Sequence, residues 1–227
     1  MGWFMNIDIT EFSEAGLYLL LPDGERLVLT RDSIEKTTRR MLDDPRLISP
    51  HMRAAVEYKP CDICPARFTA EICHAIMPAL QFCDDIDRYM SYDKVTAIYR
   101  EDEDSPLMVN NTTMTDALQF VTILSLTSYC EVGEEYGRYF VGINPLMPLE
   151  KIGREVFLNV YCEAKGDRAK TKQIITTMSE NILHTARCQA ARLNLISQRD
   201  AFINAFVNTE LIFQYVHLEL IKYLDDS

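Results

Sequence analysis

Apolar residues come in short runs broken by turn formers in the first half of the chain, and at helical spacing in the second. Residues 5–30 read as strands. Leu17-Tyr18-Leu19-Leu20-Leu21 and Arg26-Leu27-Val28-Leu29-Thr30 flank Pro22-Asp23-Gly24-Glu25. Proline presets φ and glycine tolerates positive φ, so this is a hairpin. Asp32 or Ser33 caps a short helix through Leu42, stopped near Pro45. Residues 45–68 hold Pro45, Pro50, Pro60 and Pro65 and read as irregular chain. Thr69 then caps a helix to about Met90, with a kink at Pro78. Lys94–Tyr99 and Leu107–Asn110 form a second hairpin around the acidic turn Glu101-Asp102-Glu103-Asp104, and Thr113 or Thr115 caps a helix through about Tyr129.

A loop covers 130–148, and from Leu149 the chain is helical. One helix stops at Gly166, a second spans about 168–196, and the last spans about 199–224. The last carries two apolar stripes. Phe202, Phe206, Phe213, Val216 and Leu220 make one; Val207, Leu211, Leu218 and Ile221 make the other. A face this wide implies burial on two sides, in a bundle or between subunits. The helix at 168–196 covers the first stripe, and exposure of the second would leave a large apolar patch. These patterns predict an α+β protein. Its 1–148 part has β-hairpins, short helices and a metal site, and its 149–227 part is an antiparallel helical bundle packed on it as one unit.

Composition narrows the function classes. A net charge of −11 repels phosphate backbones and anionic membranes, so neither nucleic acid nor a membrane surface is expected as a partner. No apolar run reaches the roughly 20 residues that span a bilayer. The first residues, Met1-Gly2-Trp3-Phe4-Met5-Asn6, lack the basic flank and apolar core of a secretory signal, which points to the cytoplasm. Seven cysteines in a reducing compartment argue for metal chemistry over disulfides.

Cys61-Asp62-Ile63-Cys64-Pro65 is a C-x-x-C-P element. Two thiolates at this spacing grip one metal from a tight turn, with backbone amides free to donate to the sulfurs. Cys73 follows near the start of the next predicted helix. Cys83 is the nearest fourth cysteine, but on a continuous helix it lies roughly 15 Å along the axis from Cys73, too far for sulfurs sharing one ion. His74 points about 100° away from Cys73 on that helix. Cys130, opening the long loop, is therefore the chosen fourth ligand. Four thiolates favour structural zinc, with an iron–sulfur cluster as the alternative. Lys59, Arg67 and Arg53 are the bases available to offset the charge.

The ordering of C-x-x-C-P, a nearby third cysteine, a hairpin, and a cysteine before a phenylalanine-and-proline loop resembles an uncharacterised bacterial family, a domain of unknown function. Asp200-Ala201-Phe202-Ile203-Asn204-Ala205 resembles that family's D-A-x-x-N-A helix. The resemblance maps the family's four cysteines onto Cys61, Cys64, Cys73 and Cys130. Glu131 stands where the family has proline, which affects the local turn more than the ligand. No activity is implied.

Other clusters read as surface or core. Asp84, Asp85 and Asp87 form a helix-end carboxylate run; Asp200, Asn204 and Asn208 recur every four residues; Tyr136-Gly137-Arg138-Tyr139-Phe140 could line a pocket but reads more simply as core. His51, His74, His184 and His217 are scattered, and no nucleophile elbow or phosphate-binding glycine loop is present. The expected function is a zinc-stabilised interaction or scaffold protein, a homodimer through the C-terminal helices with room for another protein partner. A redox sensor built on zinc-bound thiolates is the alternative, and an enzyme without a detectable motif the second alternative. No catalytic residue is expected.

Overall fold

The first hairpin forms where its turn chemistry places it. Strands β1 (Gly16–Leu20) and β2 (Arg26–Leu29) pair antiparallel, with Tyr18 opposite Val28. Asp23 Oδ1 accepts from the Glu25 amide at 3.1 Å to set the turn. In this computed structural model, which describes residue 12 and residues 14–59, 61–69 and 72–225, the predicted strand at residues 5–11 lies outside the described residues. β3 (Lys94–Arg100) pairs with β1, and β4 (Met108–Thr113) with β3. The result is a four-stranded antiparallel sheet in the order β2-β1-β3-β4. Alternation along the strands sends Leu17, Leu19 and Leu29 into the main core. Tyr18 and Ile98 point to the other face, where Phe12 meets Tyr18 edge to face at 5.1 Å.

Helix α1 (Arg31–Asp43) is capped by Thr30, two residues before the nearer of the predicted caps. Thr30 Oγ1 accepts from the Ser33 amide at 3.0 Å. The short helix α2 (Arg53–Glu57) lies in the proline-rich stretch. The largest departure from expectation is at 69–90. In place of one kinked helix there are a 3-10 turn at His74–Ile76, α3 (Met77–Leu80) and α4 (Cys83–Ile86). Two causes are visible. The Cys73 amide donates to Val56 O at 3.0 Å, which holds residue 73 outside a helix. Pro78 sits in the first turn of α3, where it starts a helix and cannot continue one.

Helix α5 (Met114–Ser128) begins at Thr113, whose hydroxyl accepts from the Asp116 amide at 3.2 Å. Twelve of its fifteen residues are buried, so it is a central helix rather than a surface one. α8 (Ala201–Tyr215) packs along it, α7 (Arg168–Leu193) packs mainly on α8, and α6 (Leu149–Glu163) lies against α8 and α7. Thr122 Oγ1 on α5 meets Thr209 Oγ1 on α8 at 2.9 Å. Gly166, at φ 76, ends the first of the C-terminal helices as expected. The last helix departs from the expected 199–224: beyond α8 the chain makes a π-helical turn, Val216–Leu220, and then the short helix α9 (Lys222–Asp225). Residues on both sides of 148 share one apolar core. No helix among the described residues is long and apolar enough to cross a membrane.

The polar stripe of α8 serves the fold. Asp200 accepts from both the amide and the hydroxyl of Ser91 at 2.8 Å, and Asn204 Nδ2 donates to it at 3.0 Å. Burial alone would raise the Asp200 carboxyl, but these bonds hold it below its ordinary value. Asn208 Nδ2 donates to Asp116 at 3.2 Å. The carboxylates at 84–87 disperse: Asp84 faces His51 at 3.2 Å, while Asp87 accepts from Ser197 Oγ and from the Gln198 and Arg199 amides.

Candidate metal centre

The C-x-x-C-P element folds as a turn. The Cys64 amide donates to Cys61 O at 2.9 Å, and Pro65 starts a 3-10 turn, Pro65–Phe68. Cys73 enters beside it because its amide is tied to Val56. Cys130 closes α5, and the Glu134 amide caps it by donating to Cys130 O at 2.9 Å. The Val132 and Gly133 amides face the Cys130 sulfur. Burial pushes that thiol up to about 11, against the pull of these two amides. Amides aimed at sulfur are what a thiolate ligand requires.

Cys61, Cys64, Cys73 and Cys130 all line one cavity of about 70 Å³. That space suits an ion and excludes a substrate-sized molecule. Ala75, Cys130 and Val132 form an apolar wall against which Cys64 and Cys73 pack. His74, set aside on helix geometry, also lines the cavity, as does Glu131. Cys83 does not. It is buried in the main core, its thiol donating to Ala79 O at 3.5 Å. Among the described residues no three His, Cys, Asp or Glu side chains surround a common point as ligands of a bound ion would.

Helix α7 supplies the rest of the site, and the sequence reading missed it. Gln189 approaches Cys73 Sγ with Nε2 at 3.6 Å. Cys188 contacts Cys61. Their shared hydrogen bond, with burial, pushes the Cys61 thiol up; the same bond, aided by His184 and Arg192, pulls Cys188 down. His184 Nε2 is buried without a hydrogen-bond partner among the described residues.

Arg192 is the most telling residue. Its side chain is 1% exposed and lines the cavity. Nη1 donates to Ala55 O at 2.7 Å and Val56 O at 3.3 Å, Nη2 to Lys59 O at 3.1 Å, and the guanidinium lies 5.7 Å from the Tyr58 ring centroid. Its partners are carbonyls, and among the described residues no carboxylate pairs with it. A permanent cation is thus held at a cavity walled by thiols, where charge is costly unless offset. Of the bases expected in this role, Arg67 instead donates to Asp62 O and stacks over Phe68 at 4.6 Å. Arg53 and Lys59 are exposed, and Lys59 contributes its carbonyl. His184, Cys188 and Arg192 recur every four residues on one helical face, a polar stripe that could have been read from the chain.

Comparison with family models, with curated proteins and with solved structures finds no match. The reading of the site rests on its own residues.

Gly133 is a local requirement of this corner. A Cβ there would come 1.9 Å from Leu126 O and 3.2 Å from Ile182 Cδ1. Gly133→Ala is expected to cost about 3 kcal/mol by forcing the turn off α5. A urea midpoint equal to that of the parent would contradict this.

Proposed function

We propose that the cavity holds one zinc ion bound by Cys61, Cys64, Cys73 and Cys130, and that the chain is a zinc-stabilised interaction protein working in the reducing cytoplasm. The observation that carries this reading is Arg192: a buried guanidinium without a carboxylate, at the wall of a four-cysteine cavity, offsets the negative charge of a metal–thiolate centre. The donor set fits zinc chemically, and the amides facing Cys130 fit a thiolate there. Side-chain rotation into the cavity is part of the reading, because the thiols do not share a centre in the present conformation. Elemental analysis of purified protein tests it: one zinc per chain is expected. Metal-free protein overturns the site, and a coloured protein with visible absorbance replaces zinc with the iron–sulfur alternative.

The interaction role rests on α8 and the turn after it. Phe202, Phe206, Phe213, Val216 and Leu220 are buried within the chain, and so is Ile221 from the second stripe. Val207, Leu211 and Leu218 stay 42%, 44% and 60% exposed. A two-fold partner helix from a second copy would cover them. Light scattering is expected to give twice the 26.2 kDa chain mass, and Leu211→Glu to return it to the monomer. A monomeric mass for the parent at every concentration refutes the dimer.

The contact of Cys61 with Cys188 favours a redox sensor as the second reading. A peroxide would join the two thiols as a disulfide, itself reduced to two waters, and so withdraw a ligand from the ion. Zinc release at low peroxide supports the sensor; retention supports a purely structural site.

A further inference from the structure

We infer that a second cavity, between α5, the 134–145 segment and α6, binds a small monocarboxylate with an apolar body. The cavity encloses about 460 Å³, within the usual range of small-molecule sites. Phe120, Leu124, Phe140, Ile143 and Ile152 give it apolar walls. These walls are preformed. Phe140 leans on Phe213 with centroids 5.8 Å apart. Asn159 Nδ2 on α6 holds the backbone on both sides of Phe140, donating to Tyr139 O at 2.9 Å and Val141 O at 3.3 Å. The Leu146 amide donates to Asn144 Oδ1 at 2.7 Å, which fixes the far rim.

Charge and hydrogen bonding choose the ligand class. Arg31, Arg138 and Glu134 all line this cavity. Arg138 is committed: its Nε donates to Glu163 at 2.9 Å and its Nη2 to the Tyr139 hydroxyl at 3.0 Å. Arg31, exposed and without a hydrogen bond or ion pair to any described residue, supplies the uncommitted positive charge that favours an anion in this cavity. Gln119, 4% exposed, lines the same cavity, and its Nε2 has no acceptor among the described residues. A buried amide donor left unpaired is costly. A carboxylate accepts from the Gln119 amide and is drawn into the cavity by the Arg31 charge, and an aliphatic or aromatic body fills the space between the walls. A single negative charge suffices, because Glu134 at the rim opposes a second. The site is separate from the thiol cavity and stands or falls independently of zinc.

The test is calorimetric titration of the full chain with octanoate, and with octanol as the neutral comparison. Octanoate is expected to bind saturably and at least tenfold more tightly than octanol. Arg31→Gln, a change on an exposed side chain, is expected to remove that preference. Gln119→Leu separates binding from folding. If the amide serves a ligand, this variant binds octanoate several-fold more weakly while melting at or above the parent temperature. No saturable octanoate binding, equal binding of octanol, or full binding by Arg31→Gln would each overturn the inference.

Discussion

Cys64→Ser is expected to abolish zinc retention and to unfold both halves of the chain together. A hydroxyl is a poor zinc ligand at neutral pH, so the variant loses a thiolate and with it most of the metal affinity. Structural zinc contributes an apparent binding energy on the order of 10 kcal/mol, comparable to the whole net stability of a domain. The cost spreads because the cavity joins three separate stretches: the 61–64 turn, the strap at Cys73 and the corner at Cys130, all against α7. Circular dichroism melts should show a single transition displaced far downward, with elemental analysis reading no metal. Cys162→Ser is the control. That cysteine is exposed and its replacement should change neither readout. A Cys64→Ser protein that melts with the parent would show that the site does not hold the fold.

Arg192→Met ranks second, with an expected loss of about 3 kcal/mol. Methionine fills much of the volume but removes the donors to the carbonyls of Ala55 and Lys59, and leaves Val56 O with the Cys73 amide alone. Arg192→Lys should rescue little. One ammonium cannot reproduce a planar fork that reaches residues 55, 56 and 59 at once. Both variants should also bind zinc more weakly in chelator competition, because the offsetting charge is gone or misplaced. A urea midpoint unchanged from the parent would show that the guanidinium is dispensable, and unchanged chelator competition would remove the electrostatic argument for the metal.

The elements that could be read from the chain are those whose signals are local. The Pro22-Asp23-Gly24 turn and the Thr113 cap each act within a few residues, and each marks an element that forms close to where its pattern puts it. The 69–90 helix failed because a long-range contact decided it: the bond from the Cys73 amide to Val56 O joins segments that no periodicity connects. The fourth cysteine shows how the reason for a choice can fail even where the chosen residue lies at the expected cavity. The helix length that separates Cys83 from Cys73 in the sequence pattern belongs to a helix that does not form. Cys83 lies away from the thiol cavity because it is buried in the main core beside Ala79. Arg192 was invisible for a different reason. On α7 attention goes to the apolar stripe of Ile175, Met178, Ile182 and Ala186, and a buried arginine contradicts the rule that charges face water. The unexpected 3-10 run at Glu134–Phe140 likewise turned a supposed loop into a cavity wall, with Tyr136 and Tyr139 in the core and Phe140 lining the space.

The central position of α5 sets the order in which a growing chain reaches its native state. α3 and the sheet, which cover part of Met114–Ser128, are made before it, yet its most extensive cover, α8, is encoded some ninety residues later. While a ribosome is still adding α6 and α7, a helix buried on nearly all sides in the finished protein has no cover from α8. Its apolar faces are then open to chaperones, proteases and neighbouring nascent chains. Synthesis arrested before Thr209 therefore leaves a product with an intact sheet sequence and an unfinished centre, and quality control should clear such fragments quickly.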